Sequence, residues 1–496
     1  MKCLTSKEMR QLDMLAFNAY HMPGEVLMEN AGRAIVEALI TDLTKKDRIV
    51  VVVGPGNNGG DGFVVARELK NRGYDVTVIQ TVTNDKIEGE AYVHLNVMQR
   101  FGVEIIYDFP EAVTYLHQAT VIIDALFGTG YKGPMREPMQ GYVTLMNQVD
   151  APIYSIDVPS GVSEAIDSMS SVVKATKTIA IEAPKITAYI EKTAIYYGKL
   201  VTVSISLPTC ELDKISRSIW QPSDVRQTLI KRERFGHKGT YGHVLLIGGC
   251  ADMPGAIQLS ARGALKSGAG LVTVMTDRAA RPFLQLPHEV MTRTNDQFSS
   301  QLLMNYQAIA VGMGFGLTEE KQALFQQILT TNVPVLIDAD GLTLLARDMS
   351  ALKKRQGPTV LTPHPKEFAR LTGYSVDEIK TDPFTVTKDF AKAHEVYLIL
   401  KGTYTIITSP TGEQVINTTG NSALSKGGSG DILSGIASVR MMQDESVFAG
   451  LCNAVYLHGY ASDIAVREEF TAFDVTPTDV VDRLSKAYRT FIEDPA

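Results

Sequence analysis

Ile49-Val-Val-Val-Val53 runs directly into Gly54-Pro-Gly-Asn-Asn-Gly-Gly-Asp-Gly62, then into a helix-like segment, Phe63 to Asn71, and a second apolar run, Val76 to Gln80. An unbroken β-branched run suits a strand buried on both faces, the setting of a parallel sheet. Strand, glycine-rich turn, helix and strand together form a βαβ unit of the nucleotide-binding kind. Gly54, Gly56 and Gly59 satisfy G-x-G-x-x-G, but that fingerprint also asks for an acid at the end of the second strand, to hold a ribose. Here that strand ends in Gln80-Thr81. Asn57, Asn58 and Asp61 add polar side chains where close backbone approach would be wanted, so the turn is built for more than a diphosphate clamp.

Outward from this unit the alternation continues. Residues 1–43 read as mostly helical, with apolar positions at Met9, Leu12, Leu15 and Ala16 and again at Ile35, Val36 and Leu39. Downstream, strand candidates at Val103 to Ile106, Val121 to Asp124, Ile153 to Asp157, Thr178 to Ile181 and Leu200 to Ile205 alternate with helical stretches. This predicts a Rossmann-like, doubly wound, mostly parallel α/β sheet. The pattern breaks after Pro208, and the charged cluster Lys231-Arg-Glu-Arg234 adds to the break. A second alternating series begins at His243-Val-Leu-Leu-Ile247 and runs through Ile309 to Val311, Val335 to Asp338, Val360-Leu361 and Tyr397 to Leu400. The expected division is an α/β domain over 1–212, a linker over 213–235 and a second α/β domain over 236–496. A chain of 496 residues is in any case too long for one core.

The net charge of -7 disfavours a general nucleic-acid binder, so anionic ligands must be met by local N–H groups and a few lysines. The N-terminus has no apolar leader segment and no run reaches membrane-spanning length. Cys3, Cys210, Cys250 and Cys452 are widely separated, which argues against a disulfide framework or a zinc site. A cytoplasmic protein without nucleic-acid or membrane partners is expected.

Chemistry-bearing residues fall at strand ends. In the first domain, Asp124-Ala-Leu-Phe-Gly-Thr-Gly-Tyr-Lys-Gly-Pro134 and Ser155-Ile-Asp-Val-Pro-Ser-Gly161 leave carboxyl ends of strands, where such sheets bind ligands. With the first turn they supply Asn58, Asp124 and Ser160 as oxygen donors suited to a hard cation. Asp157 remains as a general acid or base; Asp124 and Asp157 could equally be strand-end acids capping the next turn.

In the second domain, Asn421-Ser-Ala-Leu-Ser-Lys-Gly-Gly-Ser-Gly-Asp431 leads into an apolar helix, Ile432 to Met442. Gly427, Gly428 and Gly430 let backbone N–H groups converge, and the helix N-terminus adds partial positive charge, which together make an anion cradle. A carboxylate beside a phosphate repels it, so Asp431 is either a helix cap or the base that takes a proton from a hydroxyl attacking that phosphate. Lys401-Gly-Thr-Tyr-Thr405 offers a cation and hydroxyls at a turn between strands, or simply a charged hairpin tip. His364, fixed between Pro363 and Pro365, is a ligand contact or a loop histidine.

The stretches Gly-Pro-Gly-Asn-Asn-Gly-Gly-Asp-Gly, Phe-Gly-Thr-Gly and Ile-Asp-Val-Pro-Ser-Gly, in this order, resemble the NAD(P)H-hydrate epimerase domain over roughly residues 1–210, which include Ala183-Pro-Lys185. That family interconverts the R and S forms of NADHX and NADPHX, nicotinamide rings damaged by addition of water. The resemblance implies substrate held by Asn57, Asn58, Gly59, Gly60 and Asp61 and by Gly128, Thr129, Gly130, Tyr131, Lys132, Gly133 and Pro134. It implies a potassium ion at Asn58, Asp124 and Ser160, with Asp157 working at the hydrated carbon.

From His237 to His458, the segments His-Lys-Gly-Thr-Tyr-Gly-His, Asp-Ala-Asp-Gly, Thr-Pro-His-Pro, Lys-Gly-Thr, Gly-Gly-Ser-Gly-Asp and Tyr-Leu-His-Gly resemble the ADP/ATP-dependent NAD(P)H-hydrate dehydratase domain, a ribokinase-like family. The resemblance implies substrate contacts at Gly255, Ala256, Gly314, His364 and Asp431, with Asp431 catalytic. It places ADP or ATP, with Mg²⁺, on Lys401, Gly402, Thr403, Tyr404 and Thr405 and on Asn421, Ser422, Ala423, Leu424, Ser425, Lys426, Gly427, Gly428, Ser429 and Gly430. Met313, Phe315, Ser425 and Lys426 depart from the usual family pattern, and Lys426 adds a charge to the loop.

Together the two resemblances imply a homo-oligomeric bifunctional enzyme that epimerises NAD(P)HX and dehydrates its S form. The alternative is a ribokinase-like small-molecule kinase with a non-catalytic nucleotide-binding N-terminal domain. A Rossmann dehydrogenase ranks last, for want of the ribose acid.

Overall fold

The computed structural model describes residues 1–492. The chain divides into two compact units, Met1–Ile215 and Ser216–Ala496.

In the first unit, helix α1 (Ser6–Tyr20) starts at a capping box in which Thr5 and Glu8 satisfy each other's backbone N–H groups. Helix α2 (Gly24–Leu39) follows. Strands β1 (Arg48–Val53), β2 (Asp75–Gln80), β3 (Glu104–Ile106), β4 (Val121–Ala125), β5 (Ile153–Ile156), β6 (Lys177–Ile181) and β7 (Lys199–Val203) form one sheet in the order β3-β2-β1-β4-β5-β6-β7. Every pairing in it is parallel. The run Ile49–Val53 serves both faces: Ile49, Val51 and Val53 enter one apolar cluster, and Val50 and Val52 enter another. Strand order reverses at β1, between β2 and β4, which opens a crevice at the carboxyl ends of β1 and β4. Helix α3 (Asn57–Asn71) lies between β1 and β2, and α4 (Gly89–Arg100) between β2 and β3.

Helix α3 begins at Asn57, six residues earlier than its apolar pattern suggests. The stretch Asn57–Gly62, read as loop, is its first turns. Three glycines there disfavour helix locally, and packing overrides that preference. A Cβ at Gly59 would lie 2.0 Å from the Gly54 carbonyl oxygen, so only glycine lets the helix seat against the β1 turn.

The second unit holds a ten-stranded sheet. Its strands are β8 (Arg217–Ile219), β9 (His243–Ile247), β10 (Leu271–Thr276), β11 (Val290–Thr294), β12 (Ala308–Val311), β13 (Val335–Ile337), β14 (Thr359–Leu361), β15 (Tyr397–Leu400), β16 (Thr405–Thr408) and β17 (Gln414–Asn417). The order is β11-β10-β9-β12-β13-β14-β15-β16-β17-β8. Pairings from β11 to β15 are parallel; β16 is antiparallel to both its neighbours. Val244 and Leu246 point into one cluster and Leu245 and Ile247 into another, so this sheet too is covered on both faces. The strand order again reverses, at β9.

Residues 213–235 are not a linker. Strand β8 pairs in parallel with β17 and closes one edge of the second sheet. Pro222 opens the helix Pro222–Thr228, where the missing N–H costs nothing, and Val225 of that helix is fully buried in the core. Trp220 Nε1 donates to Asn453 Oδ1 at 3.0 Å. The charged cluster Lys231-Arg-Glu-Arg234 is exposed throughout. No helix among the described residues is long and apolar enough to cross a membrane.

Candidate active sites

At the carboxyl ends of the first unit's strands lies a cavity of about 930 Å³. Asn57, Asn58, Asp61, Gly128, Thr129, Gly130, Tyr131, Lys132 and Asp157 line it, together with Met9, Arg10, Asp13, Met14 and Phe17 of α1. Gly56 is the N-cap of α3 and provides no side-chain cap, which leaves first-turn N–H groups available to a ligand at the cavity wall. The rings of Phe127 and Tyr131 stack at 4.9 Å. Gly59 and Gly60 form the packed side of the helix rather than the cavity wall, and Gly133 and Pro134 lie outside the lining.

Behind the wall, Asp124 at the end of β4 is fully buried and gathers the surrounding loops. Its carboxylate accepts from Ser155 Oγ at 2.7 Å, Ser160 N at 2.9 Å, Ser160 Oγ at 2.5 Å and Leu126 N at 3.3 Å. Ser160 Oγ also donates to the Phe127 carbonyl oxygen at 3.1 Å. Burial raises the Asp124 pKa, against the opposing pull of the Ser160 and Ser155 hydrogen bonds. Among the described residues no basic side chain lies in ion-pair reach of this carboxylate. Asn58 Nδ2 is buried without a hydrogen-bond partner, and turning that amide over would present its oxygen instead.

Asp157 follows β5 with φ at 66°, a left-handed conformation uncommon for a residue with a side chain. Lys185 Nζ donates to Asp157 Oδ1 at 2.5 Å and to the carbonyl oxygens of Ile181 and Ala183 at 2.8 and 3.0 Å. Ile181 N also donates to Asp157 Oδ1, at 3.2 Å. The Lys185 side chain is 1% exposed. A buried ammonium needs such a set of acceptors to offset its desolvation. Asp61 is also buried, and its pKa is pushed well up by burial, then by the charges of Asp157 and Asp13. Sequence reading assigned no role to Lys185 or Asp13. The only signals were a lysine amid apolar residues after β6 and an acid bordering the buried Met9/Leu12/Ala16 stripe of α1.

In the second unit the helix Ser429–Gln443 starts three residues before Ile432, so Gly430 and Asp431 belong to its first turn. Its N-cap, Gly428, has φ at 98° and makes no side-chain cap. The Asp431 carboxylate makes no hydrogen bond among the described residues, which removes the capping alternative. Burial, then the Asp338 charge, raises its pKa to about 7, against the pull of Lys401.

Lys401 Nζ pairs with Asp338 Oδ1 at 2.9 Å and lies 3.9 Å from Glu367 Oε2. Ser434 Oγ donates to Asp338 Oδ2 at 2.7 Å. A Cβ on Gly430 would lie 3.5 Å from Lys401 Nζ, so this cluster abuts the helix's first turn. Burial alone would lower the Lys401 pKa, but Asp338 and Glu367 more than offset it, and the net shift is upward. Asp338 opens the Asp-Ala-Asp-Gly stretch noted in the sequence, without a role of its own there, and Glu367 has none.

Other expected contacts divide. Gly255 opens the helix Pro254–Lys266 with free space around it, while the Cβ position of Gly314 lies 3.1 Å from Ala256 Cβ. His364 Nδ1 accepts from Lys366 N at 3.1 Å and Glu367 N at 3.3 Å, so it caps the helix Pro365–Thr372, and its Nε2 lies 3.6 Å from Glu367 Oε1. Asn421 Oδ1 accepts from Ala423 N at 3.0 Å, and its Nδ2 donates to Asp463 Oδ1 at 2.9 Å, fixing the turn Ser422–Leu424. Gly402 and Thr403 are exposed and Thr405 is buried. The Lys426 ammonium is turned to the 473–475 segment, where its Nζ donates to the carbonyl oxygens of Phe473 at 2.7 Å and Val475 at 2.5 Å. Met313 and Phe315 are absorbed into the core, and Lys321 covers the Phe315 ring at 4.8 Å.

Comparison with known proteins places both units. Residues 24–187 match the family described as YjeF-related protein N-terminus, and residues 244–486 match the family described as NAD(P)H-hydrate dehydratase. A bifunctional NAD(P)H-hydrate repair enzyme from Moorella thermoacetica is 34% identical, over 94% of this chain and 93% of that protein. Its counterpart from Thermofilum pendens is 32% identical, over 100% of this chain and 97% of that one. The crystal structure of the ADP/ATP-dependent NAD(P)H-hydrate dehydratase from Bacillus subtilis, co-crystallised with ATP/Mg²⁺, covers 55% of this chain and 98% of its own. It has a TM-score of 0.51 and 34% identity. With identity of this order over nearly its full length, and both units matched in order, the chain belongs to the family of bifunctional NAD(P)H-hydrate repair enzymes.

Proposed function

We propose that the chain repairs hydrated nicotinamide nucleotides at two sites. The first unit interconverts the R and S forms of NADHX and NADPHX. The second dehydrates the S form to NADH or NADPH at the expense of ADP or ATP. The observation that carries this reading is the contrast between two acids in one chain: Asp157, ion-paired to a buried lysine at a cavity wall, and Asp431, unpaired in the first turn of a helix.

In the second unit, the hydroxyl on the hydrated ring is a poor leaving group. Asp431 takes its proton as the hydroxyl oxygen attacks the terminal phosphoryl group of the nucleotide, whose bridging P–O bond breaks with its electron pair leaving on AMP (from ADP) or ADP (from ATP). The N–H groups at the start of Ser429–Gln443 and the glycines before it hold the charge that develops on that group. The C–O bond then breaks with its electron pair leaving on phosphate. The ring nitrogen's lone pair forms C=N, and loss of the neighbouring carbon's proton restores the ring double bond. Lys401 and the 401–405 turn position the nucleotide. Mg²⁺ would neutralise its phosphates; among the described residues no group of three His, Cys, Asp or Glu side chains is placed to hold a metal, which fits an ion carried largely by the nucleotide itself.

In the first unit, the donor set fits potassium. Asp124 is a buried carboxylate without a cationic partner, beside the Ser160 hydroxyl, the Phe127 carbonyl and the orphaned Asn58 amide. Asn58, Asp124 and Ser160 would hold the ion, which would supply the missing positive charge and tie the β1, β4 and β5 loops together. Asp157 works at the hydrated carbon.

The test is incubation with mixed R- and S-NADHX. Without nucleotide the expected result is R/S exchange alone. With ADP or ATP it is orthophosphate release with recovery of NADH absorbance. A stable phosphorylated product without NADH would make the second unit a kinase instead.

A further inference from the structure

Asp157 is not the only titratable group in the first unit's cavity. Asp13 of α1 and Asp61 of α3 line the same space. Asp61 is 8% exposed and makes no hydrogen bond among the described residues, so it is a buried polar group turned to a cavity that offers it nothing from the protein. Such a group costs stability unless a ligand satisfies it. Among the described residues Asp13 likewise has no hydrogen-bond or ion-pair partner, yet it stands within the field of the Asp157–Lys185 pair. Epimerisation at a carbon bearing a hydroxyl needs a proton given on one face and taken on the other, which a single acid does poorly.

We infer that Asp13 is a further catalytic residue of this unit, the proton-transfer partner of Asp157. This rests on the epimerase reading above. In one direction the ring C–O bond breaks with its electron pair on oxygen, which takes the Asp13 proton and leaves as water while the ring nitrogen's lone pair forms C=N. Water then adds to the opposite face, the C=N pair returns to nitrogen, and Asp157 takes the proton released. In the reverse direction the two acids exchange roles. Between turnovers the proton returns to Asp13 through solvent, to which Asp13, unlike Asp61, is partly exposed.

The electrostatics agree. Burial raises the Asp13 pKa to about 6, with Lys185 opposing and Asp157 and Glu182 adding to the rise. The charged groups facing it are Arg10 on its own helix, Asp61 on α3, Lys132 on the 126–134 loop, Glu90 on α4, Asp157 after β5, and Glu182 and Lys185 after β6. With Asp157 ion-paired to Lys185, loss of the Asp13 proton leaves the catalytic pair with none, so exchange falls as pH rises through about 6.

The test uses the full chain without nucleotide and follows R/S exchange by chiral separation against pH for the unaltered protein, Asp13→Asn and Asp13→Glu. Asp13→Asn is expected to lower kcat roughly 10²–10⁴-fold with little change in KM and to remove the limb near pH 6; Asp13→Glu restores part of both. Asp13→Asn with kcat within threefold of the unaltered enzyme, or with an unmoved limb, overturns the inference. Should Asp13→Asn fail to fold, Asp13→Ser takes its place, and kcat within threefold of the unaltered enzyme or an unmoved limb there overturns the inference equally. If the unaltered chain exchanges R and S no faster than the spontaneous reaction, the epimerase reading itself fails, and this inference with it.

Discussion

Lys401 Nζ donates to Asp338 Oδ1 at 2.9 Å, and that bond ties the β15 end to the β13 end beneath the first turn of Ser429–Gln443. The pair has two duties. It places a cation beside the phosphate cradle, and it offsets an otherwise unbalanced set of carboxylates, Asp338, Glu367 and Asp431.

Replacing Lys401 with Met leaves Asp338, 2% exposed, without its counter-ion. Breaking a wholly buried pair costs roughly 3–5 kcal/mol; with Lys401 at 22% exposure a smaller loss, about 2 kcal/mol, is expected. Calorimetry should find this in the second unit's transition alone. Nucleotide KM should rise while R/S exchange by the first unit is unchanged. An unaltered KM for both ADP and ATP would remove Lys401 from the nucleotide site.

Asp431 predicts the pH dependence of dehydration. The base must be ionised, so kcat should rise with pH through about 7. Asp431→Asn should lower kcat roughly 10²–10⁴-fold while the nucleotide still binds. The stability effect has the opposite sign to that of a salt-bridged acid. The folded pKa is raised above the ordinary 3.8, so between about 4 and 7 the unfolded chain releases a proton that the folded one keeps. Stability therefore falls across that window and stays lower above it. Asp431→Asn should gain Tm relative to the unaltered protein at pH 8 but not at pH 4; the same Tm difference at both values would contradict the assigned environment.

How far the sequence could be read follows from the kind of interaction involved. The run Ile49–Val53 and the two alternating series announced doubly wound sheets, because a strand buried on both faces must be continuously apolar. A linker over 213–235 is the wrong reading because Pro208 and a charged cluster resemble a break, whereas strand β8 is recognisable only through its pairing with β17, about two hundred residues away. The glycines of 57–62 hid the start of α3 because local preference gave way to the contact between Gly59 and Gly54. Asp157 and Asp431 were legible as acids at strand and helix ends. Lys185 and Asp338 were not, since a buried counter-ion is defined by its partner rather than by its neighbours in sequence. The direction of the Lys426 ammonium, toward the carbonyls of Phe473 and Val475, was hidden for the same reason.

The Asp124 site predicts a specific ion effect. Potassium bound only to the folded first unit would stabilise it by RT ln(1 + [K⁺]/Kd), about 1.4 kcal/mol at tenfold excess over Kd. Replacing potassium with tetramethylammonium at constant ionic strength should lower the Tm of the first unit and slow R/S exchange. Asp124→Asn should abolish that dependence. Equal Tm values in the two salts for the unaltered protein would remove the cation from this site.

Asp157 carries a conformational constraint as well as a chemical one. Its φ of 66° lies where asparagine is tolerated and alanine costs about 1–2 kcal/mol. Asp157→Asn and Asp157→Ala should both abolish R/S exchange; the asparagine still offers Lys185 an amide oxygen but no charge, whereas Asp157→Ala loses the acceptor as well and should melt lower by that loss and the additional backbone term. Lys185→Met removes the other partner, whose side chain is 1% exposed, and leaves the carboxylate against Ile181 N alone. It should cost the first unit about 3–5 kcal/mol and lose exchange, while dehydration of S-NADHX by the second unit continues. Loss of both activities together would mean that the two sites do not operate independently.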